Sequence, residues 1–120
     1  MNKLALACAF CAPAALAAPY PFPLVLNTNQ TIEFVNLASN TGFGFNPATG
    51  FPSDSLAVTP AGQVIAAENA TGALWDVTGP ATPFGATGYT QIGDLDYGVN
   101  GLWGYSNASD TLFFYDFGSA

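Results

Sequence analysis

The sequence predicts an all-β protein made of antiparallel, four-stranded units, and three observations lead there. Beyond residue 17, apolar residues come in short runs rich in Val, Ile, Leu, Phe, Tyr and Trp, separated by Gly, Pro, Asn, Asp, Ser and Thr. That is the pattern of short strands joined by tight turns. No window in this region carries the three-to-four residue apolar spacing of an amphipathic helix, so helix is expected to be almost absent. Finally, the chain answers itself at a period of about 40 residues, which defines the unit.

The elements follow in order. Asn2 and Lys3, the apolar run Leu4 to Phe10 and the small residues Ala12 to Ala17 have the layout of a secretory signal peptide, assigned to residues 1–17. The apolar run is far shorter than the roughly 20 residues that cross a bilayer. Cys8 and Cys11 have redox-pair spacing but sit inside the export segment, where they read as small apolar residues. Residues 18–120 form the repeat region, which opens on the rigid, extended Pro19-Tyr20-Pro21-Phe22-Pro23. A partial unit occupies about 24–45, and fuller units occupy 55–87 and 94–118. In the second, strands are expected at 55–59, 63–67, 73–78 and 83–87, with turns at Pro60-Ala61-Gly62 and from Glu68 to Gly72. Leu56 matches Leu95, Gly62 matches Gly101, Asn69 matches Asn107 and Leu74 matches Leu112, each pair 38 or 39 residues apart. The first unit lacks its opening strand, and the last stops where a fourth strand would begin.

A four-stranded sheet repeated at this period cannot cover both its faces alone and is buried by its neighbours, the logic of a β-propeller. Trp75, Trp103, Phe113, Phe114 and Tyr115 are expected in the core between sheets. Leu56-Ala57-Val58-Thr59-Pro60-Ala61-Gly62, Gly101-Leu102-Trp103-Gly104, Leu74-Trp75-Asp76-Val77 and Leu112-Phe113-Phe114-Tyr115-Asp116-Phe117-Gly118 resemble the blade motifs of bacterial extracellular β-propeller repeat proteins. Those blades read Leu-Ala-Val-x-Pro-x-Gly, then Leu-Tyr-Gly, then Leu-Tyr-x-x-Asp-x-x-Thr-Gly, and the resemblance spans residues 24–118. It implies a partial β-propeller and export, to the extracellular space, the periplasm or the cell surface, and it implies no activity. Propellers hold about four to eight blades and this chain carries two to three. The expected remedies are head-to-tail self-association or membership of a longer propeller.

Composition removes whole classes of chemistry. The chain has one Lys+Arg against eight Asp+Glu, no His, and a formal net charge of −7. Its lysine and both cysteines lie in the export segment, so the mature chain has no Ser-His-Asp triad, Cys-His pair, Schiff-base lysine or arginine clamp. The usual nitrogen and sulfur ligands of zinc, iron and copper are missing too. Nucleic acid and anionic membranes need a basic footprint and are not expected partners. The candidate partners are a further copy of the chain, another extracellular protein, or a carbohydrate.

Two sets of residues remain as candidate sites. Asp54, Glu68, Asp94, Asp96 and Asp110 are oxygen donors of the kind calcium takes, although the chain has no dense carboxylate loop. Asp54 and Asp94 are expected just before the first strand of their units, with Glu68 and Asp110 in the turn after the second. Turn-forming Asp that satisfies local backbone groups is the competing use of these residues. Asp94 and Asp96 also have the form of a paired-carboxylate acid and base. Trp75, Trp103 and Tyr105 are the aromatic candidates for a ligand surface, with core packing as the competing use. Asn29-Gln30-Thr31, Asn69-Ala70-Thr71 and Asn107-Ala108-Ser109 are glycosylation triplets in a eukaryotic secretory pathway and simple Asn-rich turns in a bacterium. Together these readings give an exported, non-catalytic binding or scaffold module. A calcium-dependent extracellular hydrolase or lactonase, or a sugar-binding lectin, is the alternative.

Overall fold

A computed structural model of the chain describes residues 24–26, 30–43 and 49–119. The expected export segment with Cys8 and Cys11, the proline-rich stretch after it and Asn29 lie outside the described residues.

Ten strands among the described residues form three antiparallel sheets. The first contains β1 (Leu24–Leu26), β2 (Ile32–Asn36) and β3 (Thr41–Phe43). The second contains β4 (Leu56–Val58), β5 (Val64–Ala67), β6 (Ala73–Asp76) and β7 (Thr82–Ala86). The third contains β8 (Ile92–Gly98), β9 (Gly101–Ser106) and β10 (Thr111–Asp116). Consecutive strands pair throughout, so each sheet is a meander. The one helical element among the described residues is a 3-10 turn at Phe117–Ser119. The protein is therefore all-β and antiparallel, as the alternation of apolar runs and turn residues predicts.

Local chemistry fixes the turns. At the β4–β5 connection the Gly62 N–H donates to the Thr59 carbonyl at 2.9 Å, and Gly62 has φ 84°. Between β5 and β6 the Gly72 N–H donates to the Glu68 carbonyl at 2.8 Å, and Gly72 has φ 70°. A side chain at Gly72 would also run into the backbone carbonyl of Tyr89, so this turn needs glycine for two separate reasons.

One expected boundary is corrected. Asp94 does not precede its strand but lies inside β8, which begins two residues earlier. Ile92 is fully buried and pairs with Ser106, and a register shift between Ile92 and Asp94 carries the strand past Gly93. Burial of Ile92 draws the chain into the sheet early, and the bulge restores the register.

Two apolar clusters hold the sheets together. Ile32 of the first sheet packs with Val64, Ala66 and Val77 around the second, joined by the half-buried Phe51, Leu56, Val58 and Trp75. On the other side, Ala57, Ile65, Ala67 and Leu74 meet Ile92, Leu95, Leu102 and Phe113 of the third sheet. The second sheet is thus covered on both faces, which is why all four residues of β5 are buried. Each fully buried Ile or Leu here contributes about 1.5–3 kcal/mol. Phe113 lies over Gly104, its cross-strand partner, and stacks on Tyr89 at 4.8 Å between centroids.

Candidate functional site

Among the described residues, only one face of the third sheet is covered. Side chains alternate along a strand, so Leu95, Leu102 and Phe113 point into the core while their neighbours point away from it. The outward residues form two cross-strand rows, Asp94–Tyr105–Leu112 and Asp96–Trp103–Phe114. All six are exposed, with Leu112 at 66% and Trp103 at 46% of full accessibility. The expectation that Trp103 and Phe114 belong to the core between sheets is therefore corrected. Period-two alternation sends them outward, whereas Phe113 is buried and Tyr115 half-buried against the core.

The two sets of candidate residues meet on this face. Asp94 and Asp96 are two apart on β8, which spaces their attachment points by about 6.8 Å and puts both on one side of the sheet. Tyr105 and Trp103 flank them on the adjacent strand. Trp103 packs against Phe114 with centroids 4.9 Å apart. Asp94, Asp96, Trp103, Gly104, Tyr105 and Leu112 line a shallow groove of about 80 Å³. The Tyr105 hydroxyl donates to Asp110, which follows β9 in the turn. That hydrogen bond, with desolvation and the Asp110 charge, raises the phenol above its ordinary value. It stays a neutral donor, with its ring fixed beside the groove.

The other candidates lie elsewhere. Trp75 is half-buried between the first and second sheets, with its ring 5.5 Å from that of Phe51. Asp54 accepts from the Asn69 amide at 2.7 Å, and Glu68 accepts from the Thr71 hydroxyl at 2.8 Å, so both serve turns of the second sheet. Among the described residues no three acidic side chains come together as a metal-binding group. Asp76, outside the candidate set, accepts from the Thr78 hydroxyl at 2.6 Å, the Thr78 N–H at 2.9 Å and the Gln63 amide at 3.1 Å. Burial raises its carboxyl, and these hydrogen bonds outweigh that effect and hold it below the ordinary value.

Leu112 and Phe114 belong to the face but were not among the sequence candidates. They sit in an unbroken apolar run, Leu112-Phe113-Phe114-Tyr115, which reads as a buried strand until the pairing with Trp103-Gly104-Tyr105 shows which side each residue takes. The telling sequence feature is Gly104, whose missing side chain makes room for Phe113 on the core side and leaves its two aromatic neighbours on the other. Comparison with protein-family models, characterised proteins and solved structures finds no match.

Proposed function

We propose that the chain is an exported, non-catalytic binding and scaffold module of β-propeller type, and that the outer face of the third sheet is its binding surface. The observation that carries this reading is the shared exposure of Trp103, Tyr105, Leu112 and Phe114 beside two carboxylates. Contiguous exposed apolar surface rimmed by polar groups marks an interaction site, whereas scattered apolar residues do not. The stack of three-, four- and three-stranded meanders, packed face to face, supports the propeller comparison. Export rests on the order of residues 1–17.

A lectin reading has one observation in its favour, since Trp103 and Tyr105 next to Asp94 and Asp96 could serve sugar stacking and hydroxyl recognition. The test is tryptophan emission of the full chain across neutral oligosaccharides, acidic peptides and basic peptides. Trp103 is exposed and Trp75 half-buried, so binding on the face is expected to shift the emission of the Trp103 indole. The shift should vanish in Trp103→Phe. A flat response to every ligand in the panel would reject the binding-module reading.

A further inference from the structure

The uncovered face of the third sheet has a covered counterpart in the second. Ser55, Ala57, Ile65, Ala67 and Leu74 stand 38 or 39 residues before Asp94, Asp96, Trp103, Tyr105 and Leu112. Register supports the same alignment, since Ala57 pairs with Ile65 and Ala67 with Leu74, as Asp96 pairs with Trp103 and Tyr105 with Leu112. Ser55, just ahead of β4, and the four residues of the second sheet are all buried, the four in the cluster that meets the third sheet. All five of the third are exposed. Only the leucine is common to both, and serine, two alanines and isoleucine give way to two aspartates and two large aromatics.

That exchange decides which partner the face can take. A further sheet of the same kind, from a second copy, would bury Asp94 and Asp96. Beyond Lys3 the chain has no Lys, Arg or His with which to pair them. Buried carboxylates without a cation are strongly destabilising, so a second copy is disfavoured on this face. The groove, at about 80 Å³, is also well below the roughly 300–1,000 Å³ of a small-molecule pocket. It accommodates the end group of one side chain. Aromatic faces beside carboxylates are the surroundings of an organic cation: the rings attract it through their quadrupoles and the carboxylates accept its hydrogen bonds.

We propose that this face, on the binding-module reading above, captures an arginine side chain of a basic polypeptide partner. The guanidinium lies against Trp103 and Tyr105 and donates to Asp94 and Asp96, while Leu112 and Phe114 cover the aliphatic part of the same segment. The chain's net charge of −7 draws such a partner in and repels acidic ones.

Calorimetric titration of the full chain with an alternating Arg-Gly dodecapeptide tests this, with light scattering on the same samples. Saturable binding is expected, weakened at least tenfold by Asp94→Asn with Asp96→Asn and at least tenfold by Trp103→Ala. The first two substitutions are isosteric and exposed, so an unchanged circular dichroism spectrum is expected. Asp54→Asn with Glu68→Gln removes the same charge from another part of the molecule and should change affinity less than twofold. Equal weakening by the two double variants would mean unspecific charge attraction and would overturn the proposal. Binding of a neutral oligosaccharide with no response to the peptide would overturn it while leaving the binding-module reading intact. A dimer lost on Leu112→Ala would make a second copy the occupant and overturn it as well. Silence toward every ligand class would reject the reading on which it rests.

Discussion

Leu74 and Leu112 hold the same place in adjacent sheets, yet Leu74 is fully buried and Leu112 is 66% exposed. Truncating each to alanine measures whether the outer face is open in solution. Leu→Ala removes three carbons, worth about 2.4 kcal/mol at roughly 0.8 kcal/mol per buried methylene. The residual cavity raises the cost at Leu74 to about 3 kcal/mol, within the 2–5 kcal/mol found for such changes. For a domain of this size that lowers Tm by about 12–24 °C. At Leu112 only about a third of the area is lost from contact, so the cost stays below about 1 kcal/mol. Thermal unfolding followed by circular dichroism, at several protein concentrations, reads both. A large Leu112→Ala effect that grows with concentration would mean that another copy covers the face, and the description of that face as an open binding surface would be wrong.

Other outcomes follow from single contacts. Gly72→Ala is expected to cost more than about 2 kcal/mol, because it combines a positive φ with a collision against the Tyr89 carbonyl; a loss of Tm as small as that of a surface variant would contradict the turn geometry. Asp76→Asn is expected to lower stability at neutral pH by about 0.5–1 kcal/mol, since charge-assisted hydrogen bonds from Thr78 and Gln63 become neutral ones and the site is partly screened by solvent. The native Asp76 carboxyl lies below its ordinary 3.8, so its contribution is complete above that pH and lost as pH falls through the native value. Urea titrations from neutral to strongly acidic pH should show wild type and variant converging below about 3.8, and a constant gap would refute the assignment. Excess calcium should leave Tm unchanged, because among the described residues no three acidic side chains come together and Asp54, Glu68 and Asp110 each accept a hydrogen bond within the chain, whereas calcium takes six to eight oxygens. A calcium-dependent rise in Tm would restore the metal-dependent reading.

Much of the fold was legible because turn residues and apolar runs act locally. Gly62 and Gly72 mark the turns of the second sheet, and β4 to β7 fall within two residues of the expected boundaries. The start of β8 was not legible, because it depends on a tertiary event, the burial of Ile92 opposite Ser106 followed by a bulge. The site was half legible. Asp94, Asp96, Trp103 and Tyr105 are candidates by residue type, but nothing in the linear sequence joins the aspartates to the aromatics. Their convergence depends on the pairing of β8 with β9, which no local pattern specifies.

The contrast between Ala57–Ile65 and Asp96–Trp103 gives the fold a division of labour at constant register. Where a sheet is covered by another, small and aliphatic residues let the two approach, and every residue of β5 is buried. Where no sheet among the described residues covers the face, two charges and two flat rings occupy the corresponding places. Hydrophobic burial alone would explain exposed leucine as surface awaiting a neighbour, but it gives no reason for paired carboxylates there. The carboxylates disfavour another face of the same chemistry, and aromatic rings attract a cation through their quadrupoles. On the binding reading, the departures from sheet-to-sheet similarity mark surface left for a partner, and the similarity itself marks packing.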